Sequence, residues 1–258
     1  MLWSPTKGCT VTEVAEASVT TGAAATTKGA VSQIIASTAR DTHLLVVTAY
    51  NYALAAAASQ MCFDILVGGA TESVLIPNLL GGHAGVKTWF FPVYVPAGTR
   101  ISAQAAGARV STAFSVQVRC IGFPAGAPFQ VGSLVTTYGM STLPNGTSIT
   151  PGASGAEGSY TQITASTTSD HFAFIPSFQV SGDTTTNLRY IKLDLGVGAA
   201  TEDTIAADWL FCTTGNEEMG GSVWPHFCRY PSGTRLALRA SNNGTNDGAY
   251  NGVIHAIS

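Results

Sequence analysis

Charge is what this 258-residue sequence lacks most. Asp, Glu, Lys and Arg make up 10% of it, against about 25% in ordinary soluble domains. The net charge is −3 and the 12 Lys and Arg residues never form a run. No basic track for a phosphate backbone exists, so nucleic acid is not an expected partner. A long hydrophobic run is also missing. The most apolar stretch, residues 44–58, is interrupted by Thr48 and Asn51 and is shorter than the ~20 residues of a membrane helix. It reads as a buried strand with its following loop, and no membrane partner is expected. The opening Met1-Leu2-Trp3-Ser4-Pro5 has no cationic region before an apolar one and does not read as a secretory signal.

The five cysteines (Cys9, Cys62, Cys120, Cys212, Cys228) are odd in number and lack C-x-x-C spacing, which argues against zinc. Small buried thiols are the simplest account, with Cys62–Cys120 and Cys212–Cys228 as the conceivable bridges. The histidines (His43, His83, His171, His226, His255) form no ligand motif. A Gly-x-Ser-x-Gly elbow, a Walker loop and a complete dinucleotide fingerprint are absent. No enzyme, no metal and no cofactor are expected. The acidic pairs Glu202-Asp203 and Glu217-Glu218 read as solvated loop charges. Asn145-Gly146-Thr147 and Asn243-Gly244-Thr245 read as hairpin turns.

What the sequence does hold is a copy of itself. Residues 28–41, KGAVSQIIASTARD, match residues 157–170, EGSYTQITASTTSD, at an offset of 129 (162 − 33). Residues 63–72 match 193–202 at 130 (194 − 64), around Asp64 and Asp194. Pro96-Ala97-Gly98-Thr99-Arg100 matches Pro231-Ser232-Gly233-Thr234-Arg235 at 135 (235 − 100), and Trp89 and Trp224 share that offset. Three blocks in one order imply a duplication, with domain one at 1–124 and domain two at 125–258. Residues 123–128, FPAGAP, read as a short stiff linker, and the second copy carries an insertion around Cys212 to Gly221.

Within each copy the period is that of strands. Phe63, Ile65 and Val67 alternate with their neighbours, as do Leu193, Leu195 and Val197. With 28 glycines and 11 prolines spaced between β-branched runs, each copy reads as seven or eight antiparallel strands in a β-sandwich, jelly-roll-like. The fold class is all-β with two tandem sandwiches. Asp64 and Asp194 need partners if buried; the repeated Arg100 and Arg235 are the first candidates, and groups near their strands or backbone amides are the others. The recurrence of Trp89 and Trp224 points to core packing for both.

At the repeated blocks Ala-Ser-Thr-x-x-Asp (residues 36–41 and 165–170), the Asp64 and Asp194 strands, and Pro-x-Gly-Thr-Arg, the sequence resembles duplicated or single-copy β-sandwich proteins of tailed-phage particles. That resemblance implies a virion structural protein, most directly a head-decoration (cement) protein, with a tail- or fibre-associated protein as the alternative. It implies major capsid or tail proteins as partners and homo-oligomers. A second class is a receptor-binding module in which Trp3, Trp89, Trp209 or Trp224 stacks on a host surface glycan.

Overall fold

The computed structural model describes residues 9–50, 60–81, 85–124, 129–152, 155–182, 188–198, 201–214, 217–218, 221–244 and 249–258. Residues 125–128 of the proposed linker, Trp3 and Thr245 lie outside them. The chain runs almost entirely as strands. The first half contributes β1 (Thr10–Thr20), β2 (Ser32–Ile35), β3 (Leu44–Tyr50), β4 (Met61–Gly68), β5 (Glu72–Gly81), β6 (Lys87–Phe91), β7 (Arg100–Gly107) and β8 (Ala113–Gly122). The second contributes β9 (Val135–Tyr138), β10 (Met140–Thr142), β11 (Asn145–Ile149), β12 (Thr161–Thr164), β13 (His171–Gly182), β14 (Leu188–Val197) and β15 (Asp203–Thr214). It continues with β16 (Glu217–Glu218), β17 (Gly221–Val223), β18 (His226–Tyr230), β19 (Leu236–Asn242) and β20 (Ala249–Ile257).

Alternation decides which face of each strand goes inward. Phe63 and Ile65 of β4, Leu45 and Val47 of β3, and Val116 and Val118 of β8 fill one interior. In the first half the sheet orders are β1-β8-β3-β6 and β2-β7-β4-β5. This interleaving of first with last and second with seventh strands is the jelly roll, two Greek keys folded into facing sheets. In the second half the orders are β11-β20-β13-β18 and β12-β19-β14-β15. With β9 and β11 counted as successive stretches along β20, the two orders correspond strand for strand. Each half is an antiparallel jelly roll.

The insertion of the second half ends in a strand. β17 leaves the second half and pairs in parallel with β6 of the first, Gly221 opposite Lys87 and Val223 opposite Trp89. This move carries Trp224 out of its expected place. Trp89 is fully buried, but Trp224 is 49% exposed and stacks on Phe90 at 3.8 Å and 8°. Asn145-Gly146 likewise differs from the sequence reading. It lies inside β11, and the turn falls one step earlier at Leu143-Pro144.

The two jelly rolls are packed together. The outer face of β4, β5 and β7, at Cys62, Leu80 and Ala106, is sealed by Val253 of β20 with Met140 and Leu143. The hydroxyl of Ser177 on β13 accepts the Leu80 N–H at 2.8 Å and donates to the Leu80 carbonyl at 3.3 Å. One side chain thereby satisfies backbone groups on the edge strand β5, which would otherwise lie buried without partners. Gln60 donates to the Ser181 carbonyl at 3.0 Å, and Thr137 donates to the Pro77 carbonyl at 2.6 Å.

If this seam stabilises the fold, Leu80→Ala should lower the unfolding free energy by about 3 kcal/mol, as for other fully buried leucines. Val74→Ala on the same strand, 43% exposed, should cost under about 0.5 kcal/mol. Urea titration of both variants checks the contrast; equal effects would show that the seam is not a packed interior.

Candidate functional site

The repeated motifs are two parts of one corner. In the first half Thr38 clamps the Pro96–Thr99 turn from all sides. Its amide donates to the Thr99 carbonyl at 2.8 Å and its carbonyl accepts the Gly98 amide at 2.7 Å. Its hydroxyl donates to the Pro96 carbonyl at 2.7 Å and accepts the Thr99 amide at 3.0 Å. Asp41 takes the remaining Ala97 amide at 2.8 Å. Gly98 has φ of 80° and its counterpart Gly233 has φ of 85°, a region where a side chain is strained. In the second half Thr167 and Asp170 repeat the corner on Pro231, Ser232, Gly233 and Thr234. Ala-Ser-Thr-x-x-Asp recurs because it holds Pro-x-Gly-Thr-Arg.

Beside each corner lies an open cleft. One, of about 470 Å³, is lined by Arg40, Asp41, His43 and Phe123 among others. The other, of about 310 Å³, is lined by Asp170, Phe172, Arg229 and Tyr230 among others.

The second repeated feature is an aspartate on a bulge. Asp64 is buried and accepts the amide of Asn78 at 2.9 Å, fourteen residues on (78 − 64). Asp194 accepts the amide of Asp208 at 2.8 Å, again fourteen on (208 − 194). Asn78 and Asp208 have φ of 54° and 58°, and register shifts mark both places. A strand-borne carboxylate thus satisfies an amide that the bulge removes from the ladder.

The expected arginine partners are corrected here. Asp64 is held by Lys28 at 2.6 Å and by Gln104 at 2.9 Å, whereas Asp194 is held by Arg239 at 2.9 and 3.0 Å. Gln104 and Arg239 sit directly opposite the two aspartates. The compensating cation sits in different places in the two halves, at residue 28 in one and on the strand opposite in the other. Arg239 also pairs with Glu157, at the position matching Lys28, and lies over the Tyr160 ring at 4.7 Å. Arg100 instead pairs with Glu72 at 3.1 Å, and Arg235 pairs with Glu202. Glu202 is therefore a partly buried structural carboxylate rather than a solvated loop charge.

Two buried titratable groups sit at or beside the seam between the halves. Lys87 is fully enclosed, donates to the Phe178 carbonyl and lies 5.9 Å from the centre of that ring. Burial lowers its pKa well below the usual lysine value. His255 is 0% exposed, with Nδ1 2.8 Å from the Thr137 hydroxyl and its ring edge-on to Phe91 at 5.8 Å. Thr137 gives its one hydrogen to Pro77, so His255 must donate from Nδ1. Its Nε2 has no partner among the described residues. Burial pushes its pKa down to about 3. His171, by contrast, belongs to the second interior, bonded to Tyr138 at 3.0 Å.

All five cysteines are free, so neither conceivable bridge forms, and Cys62 and Cys120 are buried. Burial pushes the Cys62 and Cys228 thiols up to about 11, which leaves them protonated and poorly nucleophilic. Among the described residues no three His, Cys, Asp or Glu side chains gather as a metal site.

The unfolded chain takes up a proton at His255 near pH 6.5, but the folded one does not until about 3. Stability from this group is complete above pH 6.5 and falls as the pH drops toward 3. Wild type should therefore lose about 3 kcal/mol more than His255→Gln between pH 7 and 4. Parallel denaturant melts at the two pH values check this; identical losses would place His255 outside the acid response.

No protein-family model matches the chain, and no curated protein matches it. Solved structures that align with it do so at a distance. The STIV MCP aligns over 95% of this chain and 96% of its own, with 10% identity and a TM-score of 0.33. A Broad Bean Stain Virus chain aligns over 96% and 90%, with 10% identity and a TM-score of 0.30. The infectious bursal disease virus VP2 subviral particle aligns over 95% and 71%, with 9% identity and a TM-score of 0.23. At such distances in sequence and shape, function does not transfer.

Proposed function

We propose that this chain is a non-enzymatic structural protein of a virus particle, made of two repeats at 1–124 and 125–258. On this reading it decorates and cements the head of a tailed phage. The observation that carries it is the jelly roll built twice in one chain with the same strand order. This is an architecture used for viral shells and lectin domains. Supporting it, the repeated polar residues are engaged in corners and bulges that set backbone geometry. A surface so poor in charge suits covered, flat contacts better than free diffusion at high concentration. Many weak copies on a symmetric particle would add avidity.

The tail or fibre alternative, a glycan-binding protein, draws on the open cleft beside Asp41. Arg40, Asp41, His43 and Phe123 combine charge with a ring face, the chemistry that sugars use. Quantitative mass spectrometry of purified particles, with labelled antibody in electron microscopy, separates the readings. Decoration predicts label over the head and a copy number that follows the head lattice. Label confined to the tail favours the alternative, and absence of the chain from particles overturns both.

A further inference from the structure

We infer that the two corner clefts are the ends of one binding strip whose ligand is an uncharged oligosaccharide; this rests on the glycan reading of the cleft beside Asp41 and extends it into the second half. A chain of rings links the clefts. His43 of the first cleft lies 5.9 Å from Phe123, and Phe123 lies 4.6 Å from Phe129. Phe129 lies 6.0 Å from Phe227, and Phe227 lies 6.5 Å from Phe172 of the second cleft. Rings that served only to pack a junction would be enclosed. Phe172 is buried, but Phe227 stands 50% exposed, and Phe123 and Phe129 are only partly buried. Tyr94, 40% exposed, adds a further ring beside His43 at 5.6 Å.

The two ends carry the same chemistry. Each offers an exposed arginine and an exposed aspartate, Arg40 with Asp41 in the first half and Arg229 with Asp170 in the second. The aspartates are the corner residues, each fixed by one backbone amide, of Ala97 or Ser232, at 2.8 Å. The arginines come from unlike places. Arg40 directly precedes its aspartate, whereas Arg229 arrives on β18 and gives one N–H to Gln130 at 3.1 Å. Sequence correspondence alone therefore does not put an arginine beside each aspartate. His43 adds a donor to the first end. Its Nδ1 accepts the Phe123 amide at 3.2 Å, which leaves the hydrogen of the neutral ring on Nε2.

This pairing of charges selects the ligand. An anion entering either end meets an aspartate, and a cation meets an arginine. A hydroxyl suits both, because it donates to the carboxylate and accepts from the guanidinium. Between the ends the exposed ring surface takes an apolar face. Hydroxyls at both ends with carbon-bound hydrogens between them describe a chain of sugars. The ends belong to different jelly rolls, so a single sugar engages one end and a longer chain engages both. Affinity should therefore rise with chain length.

The test probes an array of immobilised uncharged and sialylated oligosaccharides, from single sugars to hexasaccharides, with the full chain. The strongest ligand is then titrated by calorimetry. Uncharged chains should bind, single sugars should not register, and one oligosaccharide should bind per protein chain. Arg40→Gln, Arg229→Gln and Phe227→Ala should each weaken binding by about tenfold. Tyr190→Ala, which removes a ring that is 45% exposed on β14, should leave it unchanged. Circular dichroism and thermal melting confirm that the variants fold. Wild-type affinity in Arg229→Gln or Phe227→Ala would overturn the strip and leave the glycan reading of the first cleft standing. A preference for sialylated chains, equal binding of single sugars, or two oligosaccharides per chain would also overturn it. Binding to no member of the array would remove the inference and the glycan reading together. The head-decoration reading stands or falls separately, on where the label sits in particles.

Discussion

The structure depends on a face that a lone jelly roll would expose to water. Cys62, Leu80 and Ala106 point away from the interior of their own sandwich, and β5 stands at the edge of its sheet. Left open, an apolar patch beside unpaired backbone would invite indiscriminate strand pairing. The second jelly roll covers the patch, and Ser177 satisfies the amide and carbonyl of Leu80. β17 does the same along β6. The two jelly rolls are therefore linked through faces that need each other, rather than tethered as independent ones. Lys87 and His255, enclosed at this junction, then carry the burden of charge exclusion there.

Much of the fold was legible because its signals are local. Alternation at Phe63, Ile65 and Val67 placed a strand with a known inner face, and the recurring blocks pointed to two similar units whose strand orders prove to correspond. The corner motifs were visible as motifs, but their partnership was not. Thr38 and Pro96 are far apart in sequence, and only the closed Greek key brings them together. The aspartates were rightly seen to need partners. The partner is chosen by cross-strand register, which places Gln104 and Arg239 opposite them and leaves Arg100 and Arg235 for glutamates.

Trp224 shows the limit of reading a repeat literally. Its alignment with Trp89 suggested a second core tryptophan, yet the preceding insertion forms β17 and carries the ring across to Phe90 of the other half. A residue's role follows the sheet its neighbours join, and an inserted strand changes that sheet. The insertion runs into β17, which is part of the junction.

The central claim is that the seam makes the two jelly rolls one cooperative unit. Differential scanning calorimetry on the intact chain under conditions of reversible unfolding tests this most directly. The account predicts a single transition, with the calorimetric enthalpy equal to the van't Hoff enthalpy. Two resolved transitions, or a calorimetric enthalpy near twice the van't Hoff value, would mean that the halves unfold independently and would contradict it.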